Sequence, residues 1–96
     1  MYKVGDLIIY RKPKRSEKPG PRAKNIRPMH SGEEYHYEVD KFWRVIEVDS
    51  EKLVIVTRGG KVRHLSHDDP HIIKPNMITS FLMRHRFPGP KESSQN

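Results

Sequence analysis

Apolar residues in this chain come in short bursts rather than long stripes, and most bursts are rich in β-branched and aromatic side chains. Val4 to Tyr10 follows that rule around a Gly5-Asp6 kink, which predicts a first strand. Glu34 to Asp40 alternates acids with Tyr35, Tyr37 and Val39, as a half-buried edge strand or a structured loop arm would. Phe42 to Asp49 and Leu53 to Arg58 are the clearest pair. The polar Asp49-Ser50-Glu51-Lys52 between them has the length and chemistry of a hairpin turn. Strict alternation places Phe42, Ile46 and Val48 on one face with Arg44, and Trp43 and Val45 on the other with Glu47 and Asp49. Both faces are then partly apolar, as in a barrel wall covered on its outer side. Gly59-Gly60 predicts a second tight turn, and Lys61 to Leu65 returns as the next strand.

The pattern then changes period. Ser66 with Asp69 three residues on resembles a capping box, and Pro70 is tolerated in a first turn, so Asp68 to Ile72 is expected to form one 3₁₀-like turn. Asn76 is placed to cap a longer helix. Met77, Ile78, Phe81, Leu82 and His85 make one apolar stripe along it, which should pack on the strands, and Pro88 ends it. The last residues, 89 to 96, carry no apolar side chain and read as a loose tail.

Ninety-six residues at 33% hydrophobic allow one small domain, expected over residues 1–88. With no cysteine, there is neither a disulfide framework nor a thiolate metal site. The longest apolar runs, Leu7 to Tyr10 and Leu53 to Val56, are far below the roughly 20 residues needed to span a bilayer. No membrane partner is expected. The start of the chain lacks the charged-then-apolar layout of a secretory signal, so a cytoplasmic protein is the default expectation.

Charge changes this picture from a generic small β domain to a binding surface. Arg11, Lys12, Lys14, Arg15, Lys18, Arg22, Lys24 and Arg27 fall within seventeen positions and meet only Glu17 there, while Pro13, Pro19 and Pro21 keep the stretch extended. A long basic loop after the first strand is expected. The imbalance is regional: residues 1 to 28 hold nine bases and two acids, 29 to 57 three and seven, and 58 to 96 seven and three. Glu33, Glu34, Glu38 and Asp40 can therefore neutralise part of the loop, leaving a surplus for a polyanion.

Strand, long loop, three closely spaced strands and one turn of helix together resemble an SH3-like small β-barrel, with Val4-Gly5-Asp6-Leu7-Ile8-Ile9-Tyr10 similar to the opening of many such barrels. The likeness covers roughly residues 3 to 75. Barrels of this type in the KOW, Tudor and integrase C-terminal families bind RNA, DNA or peptides, so the resemblance implies a binding role without choosing the ligand. Gly-Pro-Arg-Ala at 20–23, Val-Asp-Lys-Phe-Trp at 39–43, Asp-Asp-Pro at 68–70 and Arg-His-Arg-Phe-Pro at 84–88 are also similar to a group of short bacterial proteins. That second likeness carries no function with it.

A nucleic-acid partner needs bases to neutralise phosphates and flat side chains to take unstacked bases. The eight cations supply the first, and Tyr35 and Tyr37 the second. Trp43 has a suitable face too, although a domain this small needs Trp43 and Phe42 for its core. Phosphate contacts position a protein without reading sequence, so RNA and DNA are served alike. An unpaired edge over Tyr35 to Val39 also offers a route for two copies to pair.

Other chemistries are less well provided for. His64, His67 and His71 beside Asp68 and Asp69 suggest a metal site, but their spacing does not suit a strand interrupted at Pro70, and neither a metal nor another cofactor is expected. Ser66-His67-Asp68 are adjacent, the wrong arrangement for a triad, and the chain has no glycine-rich phosphate loop. The expectation is a non-catalytic nucleic-acid-binding module, with a protein-interaction module docking through the barrel or the C-terminal helix as the alternative.

Overall fold

The computed structural model describes residues 2–30 and 32–89. Among the described residues six strands form one antiparallel sheet: β1 (Leu7–Ser16), β2 (Lys24–Pro28), β3 (Tyr35–Val48), β4 (Lys52–Val56), β5 (Val62–Ser66) and β6 (Ile72–Ile73). Their order is β5-β4-β3-β1-β6, with β2 paired to β3 off that path. A short helix, α1 (Met77–Leu82), and a 3₁₀ turn at Arg84–Arg86 follow. The chain divides into two compact units, one built from Met1–Tyr10 with Phe42–Asn96 and the other from Arg11–Lys41. Among the described residues no helix is long and apolar enough to cross a membrane. The tail expected over 89–96 lies, apart from Gly89, outside the described residues.

In the first unit the turns form where the sequence places them. Gly5 takes a φ of 94° ahead of β1, which a side chain would resist, and its N–H donates to Val45 O at 2.7 Å. Asp49 Oδ1 accepts from the N–H groups of Glu51 and Lys52 at 2.8 and 2.7 Å, closing the β3–β4 hairpin as an Asx turn. At the next hairpin, Gly60 has a φ of 88° and donates to Thr57 O.

Two apolar clusters fill this unit. Ile8, Trp43, Val45, Leu53 and Ile55 make one, with Tyr10, Val48 and Leu65 packed against it. Ile9, Phe42 and Phe87 make the other. Trp43 is buried and stacks on Tyr10 with ring centroids 4.9 Å apart, so it is core and offers no face to a base.

Strict alternation along β3 fails at one point. The β3–β4 register runs Val45↔Ile55 and then Glu47↔Val54, so Ile46 is an extra residue on β3. Val48 consequently packs with Trp43 and Val45, not with Phe42. Asp68 to Ile72 also departs from expectation. It forms turns closed by Asp69 N–H to Ser66 O and Ile72 N–H to Asp69 O, both 3.2 Å, and Ile72 leaves as β6 to pair with Tyr10 of β1. Proximity to an open strand edge outweighs the local helical signal.

Helix α1 starts as the sequence predicts, with Asn76 Oδ1 accepting from Thr79 N–H at 2.7 Å. Its apolar stripe does not pack. Met77, Ile78, Phe81 and Leu82 are all exposed, each above 60%. Phe87 occupies the available core space instead, edge-on to Phe42 at 5.0 Å. Arg44 Nε donates to Pro88 O at 2.8 Å, and Arg58 donates to His85 O, so the segment after the helix is fixed by polar ties to its backbone.

Candidate nucleic-acid interface

The second unit, Arg11–Lys41, carries every residue singled out for binding. The expected loop is strand for more than half its length: β1 continues through Arg11–Ser16, and Lys24–Pro28 is β2. Pro13 sits where β1 has passed its pairing with β6, which reaches only Ile9 and Tyr10, and a missing N–H is tolerated on such an edge stretch. On β2, the register shifts between Lys24↔Glu38 and Arg27↔His36, and Asn25 adopts a φ of 53° there. Asn tolerates that left-handed backbone, and its side-chain amide donates to Glu38 across the bulge.

Asp40 is the only buried side chain of this unit among the described residues. Arg11 makes two hydrogen bonds to it, Nε to Oδ1 at 2.9 Å and Nη2 to Oδ2 at 3.2 Å. Lys24 Nζ reaches Oδ2 at 2.8 Å. One carboxylate therefore ties β1 and β2 to β3. Burial pushes the Asp40 carboxyl pKa up, but the hydrogen bonds and charges of Arg11 and Lys24 outweigh it and hold the group below the usual aspartate value. The Arg11 pKa moves up, chiefly through its hydrogen bond to Asp40.

Two cross-strand bonds fix which side chains share a face. Ser16 Oγ and Tyr37 Oη are 3.0 Å apart, so Lys12, Lys14 and Ser16 lie on the side of Tyr35 and Tyr37. Arg11 and Asp40 define the opposite side, with Arg15, Glu38 and, by register, Lys24 and Arg27. Within Arg11–Lys41 the acids of β3, Glu38 and Asp40, thus fall with Arg11. The strand residues around Lys12 and Lys14 include no carboxylate.

Six of the eight cations stay out of ion pairs. Lys12, Lys14, Arg15, Lys18, Arg22 and Arg27 are exposed, and among the described residues the ion pairs of these eight cations are those of Arg11 and Lys24 with Asp40. Lys18 and Arg22 lie in the link between β1 and β2. Tyr35 and Tyr37 are half-buried, and the aromatic pairs of the described residues involve neither. Comparison with family models, curated proteins and solved structures finds no match for the chain.

Sequence reasoning placed the cations but missed Ser16, which holds the Tyr37 ring by its hydroxyl, and Asn25, whose tolerance of positive φ was the available signal. Of the histidines considered for metal, His67 and His71 are engaged separately: His67 Nε2 is 2.8 Å from Asp49 O, and the His71 ring lies 5.8 Å from that of Tyr10. Among the described residues no group of three or more His, Cys, Asp or Glu is placed to hold a metal ion.

Proposed function

We propose that the protein is a non-catalytic nucleic-acid-binding module that uses the Arg11–Lys41 arm to contact the phosphate backbone. One observation carries this reading: the eight cations of residues 11–27 meet one buried carboxylate, which among the described residues takes up Arg11 and Lys24. The six exposed cations left over repel one another, and a polyanion relieves that repulsion while releasing its own counterions. The SH3-like small-barrel reading of the other unit draws support from its strand order, in which the last short strand, β6, returns beside β1.

Titrating a fluorescent oligonucleotide with the full chain over a salt series tests the proposal. Affinity should fall steeply with salt, and reversing charge at Arg22 and Arg27 to Glu should weaken it by about tenfold or more at low salt. Absence of binding at low salt, or binding indifferent to salt, contradicts it.

The exposed stripe of α1 supports a second reading. Met77, Ile78, Phe81 and Leu82 form a contiguous apolar face of a kind associated with protein contacts. Residues 70–89 contain no acid and Arg84 lies just past the end of the helix, so the matching partner is a protein segment with apolar side chains bordered by a carboxylate. Such a complex should survive high salt on a sizing column, whereas one held by the arm should not. Loss of every complex at high salt removes this reading.

A further inference from the structure

We infer that the arm takes single-stranded nucleic acid in preference to duplex, with bases against Tyr35 and Tyr37 and phosphates at Lys12 and Lys14; this rests on the function proposed above. The two lysines alternate with Pro13 on β1 and so recur at about 6.5 Å on one side of the strand, and the two tyrosines do the same on β3 around His36. The Ser16–Tyr37 bond puts both rows on the same side. A row of ammonium groups therefore runs beside a row of aromatic rings, with no carboxylate among the strand residues of that side. The opposite side has Glu38 and Asp40 among its cations, which lowers its attraction for phosphate.

A duplex cannot use this arrangement fully. Its bases are stacked on one another, so aromatic rings beside the backbone gain nothing, and only the phosphate contacts count. An unpaired strand presents both base faces and backbone, and stacking is tolerant of sequence because every base has a π-face. Tyr37 is prepared for this role. Its hydroxyl is already bonded to Ser16, so the ring is held before a ligand arrives and less side-chain freedom is lost on binding.

The experiment compares three probes on the full chain by fluorescence anisotropy at one low salt concentration: a 12-nucleotide single strand, as RNA and as DNA, its duplex, and an abasic deoxyribose-phosphate strand of the same length. The single strand should bind about tenfold or more tightly than either the duplex or the abasic strand. Replacing both tyrosines (Tyr35→Leu with Tyr37→Leu) should remove most of that advantage. The wild-type comparison of base-bearing with abasic strand needs no variant, so a misfolded variant does not obscure the answer. Equal or tighter binding of duplex, or equal binding of the abasic strand, overturns the inference while leaving the phosphate-binding function intact. Failure of all three probes to bind overturns both.

Discussion

Arg11 and Lys24, from two different strands, converge on the two carboxylate oxygens of Asp40, with the Arg11 Nε–Oδ1 distance 2.9 Å and the Lys24 Nζ–Oδ2 distance 2.8 Å. Because no apolar side chain of Arg11–Lys41 is buried among the described residues, this junction and the strand ladders hold the arm in place of an apolar core. Removing the carboxylate should loosen the arm and free two cations. Asp40→Asn is expected to cost about 1–2 kcal/mol, less than the loss of a fully buried pair because both partners keep access to water. Amide hydrogen exchange should quicken in β2 more than in β4. The same variant should steepen the salt dependence of single-strand binding by about 1.4, since two further cations become available at about 0.7 each.

The acid limb of stability follows from the same residue. The folded-state pKa of Asp40 lies below its unfolded value of about 3.9, so its contribution is fully present above that value and is lost as pH falls through the folded pKa. Thermal melts should therefore show an Asp40-dependent loss below about pH 4 that Asp40→Asn no longer shows. Between pH 5 and 8 this group should contribute no slope.

Phe81 and Phe87, six residues apart, should respond oppositely to truncation. Phe87 is buried against Phe42, and Phe87→Ala should cost about 3–5 kcal/mol. Phe81 is exposed, and Phe81→Ser should stay within about 0.5 kcal/mol in denaturant melts. A large loss from Phe81→Ser would mean that the helix packs on the strands after all.

Trp43 separates folding from binding. It is enclosed by the cluster that contains Ile8 and Val45 and stacks on Tyr10, so Trp43→Ala should destabilise by about 3–5 kcal/mol. Lys12→Ala changes an exposed cation and should leave the melting temperature nearly unchanged. Its effect belongs to ligand affinity.

Much of the first unit was legible because its turns are written in side chains that act locally. Asp49 folds back on Glu51 and Lys52, Gly60 takes its positive φ, and Asn76 caps α1, each within three residues of the groups it serves. What was not legible depends on partners distant in sequence. Ile72 and Ile73 become strand because the edge of β1 lies beside them, and Ile46 is extruded by register with β4, which no local pattern announces. The stripe of α1 was misjudged for the same reason: periodicity says that a helix has an apolar face, not that a better residue, Phe87, already fills the core. For the candidate site, the cations and tyrosines could be named from sequence. The sharing of faces could not, because it required the Ser16–Tyr37 and Arg11–Asp40 contacts.

The most direct test is the salt dependence of single-strand binding for the wild type and for a Lys12→Ala, Lys14→Ala double variant. Six unpaired cations predict a log–log slope of about −4 for the wild type, reduced in magnitude by about 1.4 in the variant, with the fold intact by circular dichroism. A flat salt response, or a variant indistinguishable from wild type, would contradict the assignment of this face to phosphate.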